Sequence, residues 1–168
     1  MMMRECPQGS PNHESRMRNV LIRQAQKSDL EFVRQCAERA YEGYIDRIGQ
    51  PPAPMVADFA ESLNKQELEV ICLEAPVGFV ASYEQNGRLF VENIAIHPDH
   101  QNQGIASQVF LLLEDRCRQT GLTAIELYTN EKMTENLDFY SMLGFVETDR
   151  RRDSGFSRVY FKKTVAKS

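Results

Sequence analysis

The segment HPDHQNQGIASQ, His97 to Gln108, joins an alternating apolar run to a run of helical spacing, and its residue types suit an oxyanion. The first four N–H groups of a helix have no intrahelical partner and sit at the positive end of its dipole, so a diphosphate can be held there without a metal. Such a cradle requires small residues. Gly104 lets the backbone approach an anion or take a positive φ, Ala106 keeps the wall low, and a side-chain amide at Gln101 or Gln103 adds a neutral hydrogen bond. A P-loop is excluded because no Gly-Lys-Ser/Thr follows, and a dinucleotide fingerprint because its three spaced glycines are absent. Read alone, one glycine before a helix fits an ordinary helix start as well as an anion site.

The elements around this turn follow from periodicity. Asn19 to Ala25 reads as a first strand, and the next segment opens a first helix with Ser28 and Glu31 at capping-box spacing, fading near Gly43 or slightly later. Gly49, Pro51, Pro52 and Pro54 interrupt it, and a second, shorter helix is expected from Met55 to about Lys65. LEVICLE, VGFVASYEQ and RLFVENIAIHP read as an antiparallel meander, with Asn86-Gly87 as a two-residue hairpin turn. The third of these is apolar on both alternating faces, as a central strand covered by helices on both sides would be. From Gly104, residues Ile105, Val109, Leu112, Leu113, Arg116 and Cys117 step at helical spacing until Gly121. TAIELYT is a fifth strand, a fourth helix covers about Glu131 to Met142, and FVETDRRRD and FSRVYFKKT form a terminal hairpin about Ser154-Gly155. The expected class is α/β, in α+β layers.

The chain has 168 residues, 42% apolar, which suits one domain over residues 19–168 with a substantial core. Residues 1–18 are rich in Pro, Ser, Asn and charge and read as a flexible arm. A net charge of -4 gives no basic footprint, so neither nucleic acid nor an anionic membrane is the expected partner. The four cysteines lack the paired spacing of a zinc site or the density of a disulfide scaffold and read as reduced, mostly buried thiols; no metal is expected. No apolar stretch has the length of a signal peptide or a bilayer span, and a cytoplasmic location is expected.

Gln101-Asn102-Gln103-Gly104-Ile105-Ala106 resembles the Q/R-x-x-G-x-G/A signature of the GNAT superfamily of acetyl-CoA-dependent N-acetyltransferases. NIAIHPDH is similar to that family's fourth strand and its exit. NLDFYSMLGF, Asn136 to Phe145, resembles its second segment, with an Asn four residues before a Tyr and then a Gly-Phe pair. The likeness covers about Leu21 to Lys163 in element order, and its specific part is Phe90 to Phe145. Gln at the first motif position and at Gln103 removes positive charge that the family often carries there, and Ala106 replaces the last glycine; the backbone donors remain.

The resemblance implies a mixed, mostly antiparallel sheet of about seven strands with helices on both faces and a V-shaped splay between strands four and five. It implies acetyl-CoA in that gap, along Ile94, Ala95 and Ile96, on the turn from Gln101 through Asn102, Gln103, Gly104, Ile105 and Ala106 to Ser107, and against Asn136 and Tyr140. It makes the Ile94 N–H a candidate oxyanion donor and Tyr140 the acid that protonates the leaving thiolate, with Asn136 on the same helical face. An aromatic packed under the sheet is the plainer reading of Tyr140. An amine must lose a proton before it attacks. Glu92 is the expected base, on a strand face with Phe90, Ile94 and Ile96 that would raise its pKa; a structural carboxylate is the alternative. Asn93, on the opposite face, binds the acceptor or satisfies backbone. His97 and His100 flank the turn as surface residues.

Ala40 to Met55 is the region that often shapes the acceptor pocket in this superfamily. Tyr41, Tyr44, Arg47 and Met55 there combine aromatic walls, a cation and an adaptable thioether, a suitable set for a small amine bearing an acidic or ring group. Arg150, Arg151 and Arg152 alternate faces and read as a solvated run. The expected function is acetyl transfer to a primary amine of a small molecule, by an enzyme with homodimerisation open to it. A protein or peptide acceptor, or a non-catalytic acyl-CoA sensor, are the alternatives.

Overall fold

A computed structural model describes residues 19–166; the expected arm over residues 1–18 lies outside the described residues. Seven strands, β1 (Leu21–Gln24), β2 (Leu68–Cys72), β3 (Pro76–Gln85), β4 (Arg88–Ile96), β5 (Ala124–Asn130), β6 (Val146–Asp153) and β7 (Phe156–Thr164), form one sheet in the order β1-β2-β3-β4-β5-β7-β6. Neighbours are antiparallel except β4 and β5, which run parallel. The expected mixed sheet with helices on both faces is thus present.

Two cores flank it. On one face α1 (Leu30–Tyr41) turns Leu30, Val33, Cys36 and Ala37, a single helical stripe, onto Leu68, Phe79 and Ala81, joined by Phe59 of α3 (Phe59–Asn64). On the other, α4 (Ile105–Thr120) buries Ile105, Val109, Leu113 and Cys117 at four-residue steps against Ile71, Val80, Val91 and Ile125, and α5 (Thr134–Met142) adds Tyr140. Burying a side chain such as Leu113, with no exposure, stabilises by about 1.5–3 kcal/mol. Leu112, expected on the apolar stripe, is 40% exposed because the buried row advances by four residues, while Phe110 takes the flank. Two ion pairs fasten α4 to the sheet, Arg116 to Glu69 of β2 at 2.6 and 2.8 Å and Glu114 to Lys163 of β7 at 2.7 Å.

Three local expectations change. The capping box forms not at Ser28 and Glu31 but two residues earlier, at Gln26 and Asp29, where the Asp29 carboxylate accepts the Gln26 N–H at 2.7 Å. Arg23 of β1 grips that carboxylate at 2.8 and 3.0 Å and holds it below its ordinary pKa, so a tertiary pair sets the helix start. The helix expected from Met55 to Lys65 is broken: a 3-10 turn over Ala53–Val56 runs into extended Ala57, and Asp58 then caps α3 by accepting the Glu61 N–H at 3.0 Å. Between them, a short α2 (Ile45–Ile48) ends at Gly49. Cys36 and Cys117 are free and buried, whereas Cys72 is disulfide-bonded rather than reduced, since spacing along a chain does not say which sulfurs approach.

Arg150 and Arg151 lie on the exposed edge strand β6 and pair with Glu147 and Asp149, a solvated run as expected. Among the described residues, no helix is long and apolar enough to cross a membrane.

Gly78, opposite Ile96 in the β3–β4 register, permits a close approach: a Cβ there would overlap the Ala95 carbonyl oxygen and press on the Ile96 side chain. Gly78→Ala is therefore expected to lower stability by about 1–3 kcal/mol, measured by denaturant unfolding. An unshifted midpoint would show that β4 yields freely at this point.

Candidate active site

The site begins with a bulge. Across the β3–β4 ladder, Ala81 faces Asn93 and Ser82 faces Val91, which leaves Glu92 as the extra residue. Alternation changes phase there: Leu89 and Val91 pack into the α4-side core, and so do Ile94 and Ile96, while Ala95 joins the α1-side core. Glu92 consequently does not share a face with Ile94 and Ile96, a correction to the sequence-based placement that a one-residue bulge explains. Its charged surroundings are Glu67, Lys65, Glu61 and Arg158. Burial chiefly, with the like charge of Glu67, raises its pKa above the ordinary 4.5.

Just past Val91 the sheet opens. β4 and β5 pair only at Leu89–Ile125, Phe90–Glu126 and Val91–Leu127, although β4 stays paired with β3 to Ile96 on one side and β5 with β7 to Asn130 on the other. This is the expected splay, and the β4 backbone beyond Val91 faces a gap.

A cavity of about 530 Å³ lies on one side of the gap, bounded by Ile94–Ile96, the turn from His100 to Ser107, and Asn136, Phe139 and Tyr140 of α5. Asn102 (φ 61°) and Gly104 (φ 77°) are both left-handed, and the first helical hydrogen bond of α4 is Gln108 N–H to the Gly104 carbonyl. The N–H groups of Ile105, Ala106 and Ser107 therefore have no intrahelical partner at the head of a sixteen-residue helix that borders this cavity. Gln101, a candidate ligand donor, instead uses its amide nitrogen to hold the Ile96 carbonyl at 2.9 Å and brace the turn on β4. The turn from Gln101 to Ser107 thus offers backbone donors and a helix dipole, with no lysine or arginine in it, an arrangement able to receive an anion.

Beyond the gap is a narrower pocket of about 50 Å³, with Glu92 and Asn93 of β4, Tyr128 of β5, Arg158 of β7, and Pro52 to Pro54 around it. Tyr41, Ile94, Asn136 and Tyr140 border both spaces and form the throat between them. Tyr140 is packed among Phe110, Phe139, Phe145 and Phe161 at 5.4–5.8 Å between ring centroids. Among the described residues nothing hydrogen-bonds its hydroxyl, and burial pushes its pKa well up, so the phenol stays protonated. Asn136 spends its amide nitrogen on Thr129 Oγ1 at 3.3 Å and Met133 Sδ at 3.5 Å, which fixes the start of α5 to the end of β5.

The acceptor residues expected from the sequence separate. Tyr41 donates its hydroxyl to the Ile94 carbonyl at 2.7 Å and sets the throat. Tyr44 faces the larger cavity, and Arg47 borders neither space: its two terminal nitrogens contact Glu135 at 2.7 and 2.9 Å, and Tyr44 donates to the same carboxylate at 3.3 Å. Arg47 holds the Glu135 carboxyl down to about 2. Met55 borders neither space either, because the 3-10 turn presents Ala53 and Pro54 instead. His100 borders the cavity, and His97 accepts the Asp99 N–H within the turn. Tyr128, Phe156 and Arg158 went unread in the sequence; period-two alternation around buried Val159 and Phe161 was the available signal, since it sets Arg158 and Tyr160 off the core face.

Tyr41→Phe removes the donor from a part-buried carbonyl in the throat. Stability is expected to fall by about 1–3 kcal/mol, seen in thermal unfolding. An unchanged unfolding midpoint would free Tyr41 from this positioning role.

No curated protein matches the chain by sequence. Solved structures share its fold: the ribosomal-protein-S18-alanine N-acetyltransferase from Escherichia coli at 18% identity (TM-score 0.71, 89% of this chain and 96% of that one), Ard1 from Thermoplasma volcanium at 15% (0.70, 88% and 99%), and PaiA N-acetyltransferase from Thermoplasma acidophilum, solved with coenzyme A, at 16% (0.69, 86% and 99%). The model of the Acetyltransferase (GNAT) family matches residues 23–145, from β1 through the splay, the cradle and Tyr140 to the end of α5. Sequence motif, parallel β4–β5 splay and family match agree, and the chain belongs to the GNAT family of acetyltransferases.

Proposed function

We propose that the protein moves an acetyl group from acetyl-CoA to a primary amine of a small molecule, by direct attack in a ternary complex. One observation carries this reading: a large cavity beside the head of α4 and a smaller pocket lined by Glu92 meet at shared walls that include Ile94 and Tyr140. Two reactants entering from the two sides meet there without a covalent enzyme intermediate. The narrow pocket is walled by Pro52 and Pro54, which stiffen it against the open groove that a peptide chain requires.

Acetyl-CoA, when bound, supplies the thioester carbonyl as the electrophile. Ile105, Ala106 and Ser107 hold its diphosphate through their N–H groups, and the β4 backbone from Ile94 to Ile96 lines the path of its arm. The Ile94 N–H is the candidate donor to the carbonyl oxygen as negative charge develops there. Glu92, with its proton affinity raised by burial, removes a proton from the entering ammonium directly or through water. Tyr140, kept protonated, offers its hydroxyl to the departing sulfur.

A panel of free amines and peptides assayed for CoA release tests this. Turnover on small amines is expected. Turnover on peptides alone would replace the acceptor class, and CoA binding by calorimetry with no turnover on the whole panel would make the chain a sensor.

A further inference from the structure

Arg158 is a cation with little to do for the fold. Its side chain is only 10% exposed, the guanidinium lies 4.1 Å from the centroid of the Tyr128 ring and 5.7 Å from that of Phe156, and it borders the narrow pocket. Of the five N–H donors of an arginine, one is used: Nη1 donates to Asp153 Oδ2 at 3.0 Å, and among the described residues it has no other hydrogen bond. Asp153 is itself shared, accepting also from the Tyr160 hydroxyl and from Ser154, each at 3.1 Å. With one hydrogen bond made by the protein, most of this planar fork is left to solvent, and a planar anion that displaces that solvent completes it.

Glu92 borders the same pocket and feels Arg158 electrostatically, yet the two form no ion pair. The pocket therefore presents the Glu92 carboxylate and a stacked cation that is paired with Asp153 through one nitrogen only. Its complement is a molecule with the charges reversed. Of the other cations of this region, Arg47 is committed to Glu135 outside the pocket and Lys65 to Glu61.

Resting on the acetyl-transfer reading, we infer that the acceptor is a small amino acid-like zwitterion, its ammonium directed to Glu92 and its carboxylate received in the fork of Arg158. Arg158 is then the specificity-determining residue of the reaction, and the stacking on Tyr128 fixes the plane of the fork.

The test is a specificity ratio. For a panel of aminocarboxylates, each paired with its carboxamide and its decarboxylated amine, kcat/KM is measured by CoA release for the parent, Arg158→Lys and Arg158→Met. The parent is expected to prefer the aminocarboxylates by about 30- to 100-fold, carried by KM, with Arg158→Met bringing the ratio near one and Arg158→Lys in between. A ratio is insensitive to the fraction of folded enzyme. A parent that acetylates carboxamides or plain amines as well as aminocarboxylates, or an Arg158→Met ratio equal to the parent's, overturns the inference and leaves acetyl transfer standing. Turnover confined to peptides with an acidic residue beside the amine overturns the small-molecule class while keeping the anion fork. No turnover on any amine would fell the acetyl-transfer reading, and the inference with it.

Discussion

Tyr140→Phe is expected to lower kcat by about 10²–10⁴-fold, the range that proton donation or acceptance by a positioned side chain typically supplies. The expected pattern is selective. Four phenylalanines surround the ring, so the substitution leaves the packing intact, and the hydroxyl it removes has no protein partner among the described residues. Thermal stability should hold or rise, and coenzyme A should bind as before, because the cradle at Ile105 to Ser107 is untouched. A parallel loss in coenzyme A affinity would mean that Tyr140 positions the ligand rather than the proton. Full turnover would remove it from the chemistry altogether.

Glu92→Gln is expected to lower kcat/KM by a similar factor at neutral pH and to abolish the acid limb of the pH profile. In the parent the base form exists only above the raised pKa, so activity is lost as pH falls through a value above 4.5, the group's ordinary one. The stability consequence has the opposite sense from activity. An unfolded chain releases this proton near 4.5 while the folded protein retains it to higher pH, so the stability associated with Glu92 is full at low pH and lost as pH rises through the folded value. The glutamine variant is spared that loss and should unfold no more readily than the parent at pH 7. Measuring both profiles together separates base from scaffold: a stable, inactive variant identifies the base, whereas an unstable one identifies a structural carboxylate.

Local patterns made much of this protein readable. The buried stripes of α1 and α4 follow helical spacing because packing onto a sheet demands one apolar face. The hairpin at Asn86-Gly87 and the left-handed Gly104 follow from backbone sterics at single positions. The cradle was legible for the same reason, as it consists of neighbouring residues whose shared property is smallness. Glu92 was located correctly in the chain but assigned to the wrong face, because simple alternation assumes an unbroken ladder and Ser82 across the strand gives no local sign that it will face Val91. Arg47 was singled out in the sequence and Arg158 was not. Both are plain arginines in the sequence; one meets Glu135 eighty-eight residues away, and the other meets Tyr128 through the β5–β7 register.

The amino-acid sequence by itself determined the order of the main strands and helices, the covering of both sheet faces, and a helix start with a left-handed glycine and small neighbours, since each depends on interactions among residues a few positions apart. Tertiary structure alone decided where β4 bulges, that Arg47 meets Glu135 while Arg158 stacks on Tyr128 and meets Asp153, and that two cavities share Tyr140 in their lining. These depend on strand register and on charges brought together from distant segments, and neither quantity is encoded at any single stretch of the chain.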